Sequence, residues 1–210
     1  TVRIGVAETI VHTLLSDLLA QLKHAHPKVR FELSVDTSGQ LSAALADDEL
    51  DVAILLRESV PRGAASVALA PLKLGWYGTL DMHLPAEPMS LAELAGHTIV
   101  TFPKATPPFR ELEALLSAPD LPALELHGSA SLSTVIHLVA DGFGIGVLPE
   151  RMAEAEPFGK RIKPLPVVDA AKLANLRFMV AYMPERNAEL GAAVASIALA
   201  CDQGDRLNRS

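Results

Sequence analysis

Apolar runs at residues 2–7, 29–35 and 52–56 alternate with two stretches, 11–24 and 39–47, that carry helical patterns. That alternation predicts a parallel sheet, because parallel neighbours need a crossover between them and a helix supplies it. Stretch 11–24 places Leu14, Leu15, Leu18, Leu19 and Leu22 on one apolar stripe, with residues 8–10 as the turn before it and Pro27 closing the segment. The rhythm lapses through 57–63, and the glycine-containing apolar passage 67–80 reads as a crossing to a second lobe. There, 99–103, 124–127 and 147–148 predict strands, while 109–116, 132–141 and 151–155 predict helices. Residues 176–182 read as a strand that crosses back, so that the alanine-rich helix 187–200 docks on the first lobe. The polar residues 203–210 are expected to fray.

The fold class is therefore α/β: two Rossmann-like lobes, 1–73 plus 178–202 and 74–177, joined by two crossover strands. A ligand cleft is expected between the lobes at the carboxyl ends of their strands, where open parallel sheets bind ligands. The segment Ala140-Asp141-Gly142-Phe143-Gly144-Ile145-Gly146-Val147-Leu148-Pro149 is the most informative local pattern, a helix that breaks on glycines and drops into an apolar strand. Gly142, Gly144 and Gly146 suit a left-handed helix end and close packing of helix on strand. They do not suit a dinucleotide loop, whose glycines follow a strand and precede a helix.

Half of the 210 residues are hydrophobic, which supports a conventional core. A net charge of -7 argues against a nucleic-acid surface, which needs a basic face. No run approaches a membrane span, so no membrane partner is expected, and the lone Cys201 fits a cytoplasmic location. Thr1 stands flush against the first strand, which reads as a piece cut from a longer chain or a processed protein. The seven histidines lack HExxH or comparable metal spacing, no Gly-x-Ser-x-Gly elbow is present, and Cys201 shows no activating base. No enzyme activity, metal or cofactor is expected.

Three segments carry a family resemblance: Val2-Arg3-Ile4-Gly5-Val6 with its helix end Ala25-His26-Pro27-Lys28-Val29-Arg30, then Asp47-Asp48-Glu49-Leu50-Asp51-Val52-Ala53-Ile54, then Leu138-Val139 leading into the glycine cluster. In order and spacing they resemble the effector-binding part of LysR-type transcriptional regulators over almost the whole chain. The resemblance implies a type 2 periplasmic-binding-protein-like fold and assembly as a homodimer or tetramer. It also implies a winged helix-turn-helix ahead of this region, absent from this chain, through which alone DNA would be bound. A free solute-binding protein feeding a transporter is the alternative on the same fold. Exposed apolar faces on 11–24 and on a second-lobe helix are candidates for pairing.

The expected effector is a small metabolite, a carboxylate or other oxyanion, and its candidate contacts fall at strand ends. On the first lobe they are Thr9 and Ile10, then Ser38 and Gly39; the hydroxyls of Thr9 and Ser38 could equally cap helices. Glu8, where the family usually has a small or neutral residue, weakens the case for an anion or points to solvent. On the second lobe they are Thr101, Phe102 and Pro103, with Lys104 and Arg110 as nearby cations, and Ser129, Ser131 and Ser133, one of which must cap the following helix. Thr9→Ala and Ser38→Ala are expected to weaken effector binding and leave the thermal melt nearly intact.

Overall fold

The computed structural model describes residues 1–207 and divides into two compact units, Thr1–Pro71 with the segment from Arg177 onward, and Leu72–Leu176. The first unit opens with β1 (Val2–Val6), α1 (Glu8–Val11), α2 (Leu15–Ala25), β2 (Phe31–Val35), α3 (Ser38–Ala46), β3 (Val52–Leu56) and β4 (Ala65–Ala68). The helix expected over 11–24 is interrupted. The Thr13 hydroxyl donates to the Thr9 carbonyl at 2.7 Å, and the Thr13 amide turns to Ile10 instead, at 3.3 Å. A side chain thus competes with the backbone for the acceptor a continuous helix would use. Leu15, Leu18 and Leu22 of α2 are buried. The apolar face expected as a pairing surface is therefore consumed within the unit, at roughly 1.5–3 kcal/mol for each leucine removed from water.

The second unit contains β5 (Leu74–Thr79), α4 (Leu91–Ala95), β6 (Thr98–Thr101), α5 (Pro107–Leu116), β7 (Glu125–Gly128), α6 (Leu132–Ala140), β8 (Ile145–Pro149), α7 (Glu150–Ala153) and β9 (Ile162–Pro164). Its sheet runs β7-β6-β8-β5-β9, with β6 parallel to β7 and β8, and β5 antiparallel to β8 and β9. Helix α4 and strand β9 are additions to the sequence reading. The former starts on a reciprocal capping box between Ser90 and Glu93. The glycine cluster behaves as its pattern implies: Gly142 has φ of 81° after α6, and a Cβ on Gly144 would lie 2.2 Å from the Thr98 carbonyl oxygen. A Cβ on Gly146 would lie 2.7 Å from Val139 on α6, so helix and strand meet only because the side chain is missing.

The chain returns to the first unit as β10 (Phe178–Tyr182) and α8 (Pro184–Leu207). The first sheet is ordered β2-β1-β3-β10-β4; β1 is parallel to β2 and β3, whereas β10 is antiparallel to β3 and β4. Both sheets are thus mixed where a parallel one was expected. The departure in this sheet has a simple cause, since β10 arrives from the other unit and needs no crossover helix. Helix α8 packs on α2 and β10, is broken by non-helical geometry at Asn187, and continues past residue 203 to Leu207. Residues 208–210 of the tail expected to fray lie outside the described residues.

Candidate functional site

In the first unit the parallel strands β1, β2 and β3 direct their carboxyl ends to one sheet edge. Thr9, Ser38 and Gly39 follow β1 and β2 at that edge. Thr9 is 4 % exposed and sits inside α1, whose N-cap is Ala7, so it does not cap the helix. Among the described residues nothing hydrogen bonds to its hydroxyl. Ile10 is buried in the core. Ser38 is not the cap either: the Thr37 hydroxyl accepts the Gln40 amide at 3.4 Å. The Ser38 hydroxyl instead accepts the Leu56 amide at 3.0 Å, fastening the start of α3 to the end of β3. Gly39 is exposed, and a Cβ there would meet nothing within 4 Å.

In the second unit the equivalent edge is formed by β6, β7 and β8. Thr101 is fully buried and its hydroxyl donates to the Val147 carbonyl at 3.1 Å. It holds β6 to β8. Phe102 is buried, Pro103 is half-buried, and Lys104 and Arg110 are exposed. Ser129 continues from β7, its amide donating to the Thr101 carbonyl at 2.9 Å. The three serines come together: the Ser129 hydroxyl accepts the Ser131 amide at 3.1 Å, and the Ser131 and Ser133 hydroxyls are 2.9 Å apart. Ser131 caps α6, accepting the Thr134 amide at 3.3 Å. Gly128, which sequence reasoning passed over, lets this happen. A Cβ there would lie 3.0 Å from both the Phe102 carbonyl oxygen and the Lys104 amide nitrogen, so the 102–104 loop lies tightly across the end of β7 and a larger residue would push it back.

Sequence reasoning also passed over Tyr77, Glu150 and Glu154. Tyr77 is 1 % exposed and its hydroxyl donates to Glu154 at 3.2 Å. Burial pushes its phenol well above the ordinary value, and the negative charges of Glu154 and Glu150 push further, so it remains a neutral donor. The only signal in the chain was the pair of glycines flanking Trp76 and Tyr77. Among the described residues no three His, Cys, Asp or Glu side chains stand together as a metal site, and no helix is long and apolar enough to cross a membrane.

Two α/β units on mixed sheets, with hydroxyl-bearing loops at the carboxyl ends of the parallel strands, define a type 2 periplasmic-binding-like fold. Solved structures agree on that fold. A sulfate-bound variant of the OxyR2 regulatory domain from Vibrio vulnificus superimposes with a TM-score of 0.77 at 19% identity, covering 95% of each chain. The BenM effector binding domain with its effector benzoate gives 0.73 at 18% identity, covering 99% of this chain and 92% of that one. A variant of Corynebacterium glutamicum OxyR gives 0.75 at 20% identity; 97% of this chain is covered, and it spans 64% of that longer protein. A comparison with curated protein sequences gives no match. The sequence profile described as the LysR substrate binding domain matches residues 1–200, and the chain belongs to that family.

Proposed function

We propose that the chain is the non-catalytic sensing part of a LysR-type transcriptional regulator. It binds a small organic acid or other oxyanion through residues that follow the carboxyl ends of its parallel strands, and a DNA-binding domain outside this chain reads the result. The observation that carries this reading is the serine relay of Ser129, Ser131 and Ser133 at the amino end of α6, beside the Thr101 to Pro103 loop. Hydroxyls at a helix amino terminus suit a negatively charged group. Thr9, with its unengaged hydroxyl, is the contact on the first unit, and Gly39 leaves its backbone approachable. The carboxylate benzoate bound to BenM supports the same ligand class. The effector acts by favouring one arrangement of the protein over another, and only by as much as its affinities for the two differ.

The regulator works as a homodimer or tetramer. Edge strand β2 supports this, since it turns Phe31, Leu33 and Val35 to one face, with Leu33 43 % and Val35 54 % exposed. A thermal-shift panel of small carboxylic acids tests the ligand reading. An acid at about a hundred times its Kd stabilises the fold by about 2.7 kcal/mol. Thr9→Ala should then weaken that acid about tenfold with the unliganded melt unchanged. A panel without a hit, or a hit indifferent to Thr9, would refute the assignment.

A further inference from the structure

In the first unit β10 meets β3 in antiparallel register, with Phe178 opposite Leu56. The pairing runs one step beyond both strands, because the Arg57 amide donates to the Arg177 carbonyl at 2.8 Å. Arg57 and Arg177 are therefore opposite one another. Opposite residues of such a pair leave the same face of the sheet from Cα atoms about 5.5 Å apart. Both arginines are exposed, and among the described residues neither side chain has an ion pair or a hydrogen bond. Like charges facing each other across two strands work against the pairing. The fold tolerates this at the carboxyl end of β3, directly after the residue whose amide the Ser38 hydroxyl accepts at 3.0 Å.

The carboxylates of the neighbourhood do not answer this pair. Glu58 and Arg62, both exposed in the loop after Arg57, offset one another in charge. Glu8, after β1, is engaged by His12 at 3.6 Å. Asp36 accepts the Thr37 amide at 2.7 Å and ends β2, two strands and thus about 10 Å from β3, where water and salt screen it. Two guanidiniums thus stand without a partner at the strand ends where the acid proposed above binds, in a chain whose net charge is -7. A monocarboxylate supplies one negative charge and leaves the other guanidinium unanswered. We propose that the effector is a dicarboxylic acid, and that Arg57 and Arg177 select it by taking the second negative charge that a monoacid lacks. Each guanidinium is a rigid fork that holds a carboxylate through two parallel N–H donors, which lysine in the same place would not do. The inference rests on the acid-binding reading of these strand ends and narrows it to one class of acid.

Calorimetric titration of the chain with succinate, adipate and phthalate, each beside the monoacid of matching body, butyrate, hexanoate and benzoate, tests the selection. At least one diacid is expected to bind one-to-one and about tenfold or more tighter than its monoacid, with a margin that shrinks at high salt. Arg57→Gln and Arg177→Gln should each remove that margin, and Arg177→Lys should restore part of it. Arg62→Gln should leave it in place. The melt of unliganded Arg177→Gln should equal or exceed that of the parent, because a like-charge neighbour is gone. Diacids that bind no better than monoacids, with Thr9→Ala weakening both and neither arginine variant having an effect, would overturn this proposal and leave the acid site standing. Binding of none of the six acids would overturn both readings. An equal loss in Arg62→Gln, or inorganic phosphate that binds as tightly as the best diacid, would also overturn the selection of a dicarboxylate by this pair.

Discussion

Asp51 offers the sharpest test of how the first unit is held together. Its carboxylate is almost buried and accepts the Arg3 amide at 2.8 Å, Arg3 Nε at 3.2 Å, Arg3 Nη2 at 2.9 Å and the Asn187 side-chain amide at 2.9 Å. It therefore ties the amino end of β1 to the start of β3 and to the break in α8, at the opposite sheet edge from Thr9 and Ser38. Asp51→Ala orphans the Arg3 backbone amide and the Asn187 amide, at about 1–2 kcal/mol each once partial hydration is allowed. The guanidinium loses less. It is 35% exposed and keeps the Asp48 carboxylate at 3.3 Å and the Asp48 carbonyl, so its share is that of a solvated pair, about 0–1 kcal/mol. The sum is about 3 kcal/mol, or a melting temperature lower by about 6–12 °C for a chain of this length.

The pH dependence has a definite sign. The Arg3 side chain holds the Asp51 carboxyl below its ordinary value of 3.8, against the opposing effect of burial. A carboxylate depressed in the folded state contributes stability that is fully present above the unfolded value and is lost as pH falls through the folded one. Thermal melts of the parent and Asp51→Asn should therefore differ at pH 7, and the gap should narrow as pH falls below 3.8. Melts of Asp51→Ala that match the parent, or a gap to Asp51→Asn that stays constant down to about pH 2.5, would refute the reasoning.

Other substitutions follow from the same geometry. Ser38→Ala removes the acceptor for the Leu56 amide and should cost about 1–2 kcal/mol in a denaturant titration, while Thr9→Ala should cost less than about 0.5 kcal/mol. Gly144→Ala drives a methyl group against the Thr98 carbonyl and should destabilise the second unit by about 3 kcal/mol or more, visible as early loss of amide protection in β6 and β8. Thr101→Val keeps the volume but frees the Val147 carbonyl and should lower stability by about 1 kcal/mol. Leu33→Asp on β2 should shift the light-scattering mass of the chain toward the monomer with its melt preserved; an unchanged oligomer would remove that face from the interface.

Much of the fold was legible because its signals are local. The continuous run Val52-Ala53-Ile54-Leu55-Leu56 is β3, and the break of α6 at Gly142 needed only glycine's tolerance of positive φ. The antiparallel placement of β5 and β10 was not legible, because short apolar strands carry no mark of direction. Nor was the interruption of the first helix, which depends on one threonine hydroxyl reaching back to Thr9. Polar groups near the sheet edges posed a related difficulty. Thr101 and Ser38 have side chains suited to ligand contact, yet both hydroxyls are engaged in fastening strands and helix. The expectation that Ser38→Ala leaves the melt intact is corrected for that reason. Glu154 carries no signal of its own in the sequence, because only the fold brings Tyr77 of β5 beside it.

Hydrogen–deuterium exchange of the chain with and without a stabilising organic acid tests the central claim most directly. The account predicts slowed exchange in both units, at residues 9–14 and 38–42 and at residues 101–104 and 129–134, with the amino ends of β1 and β3 unchanged. Protection confined to one unit, or lying wholly outside these loops, would contradict it.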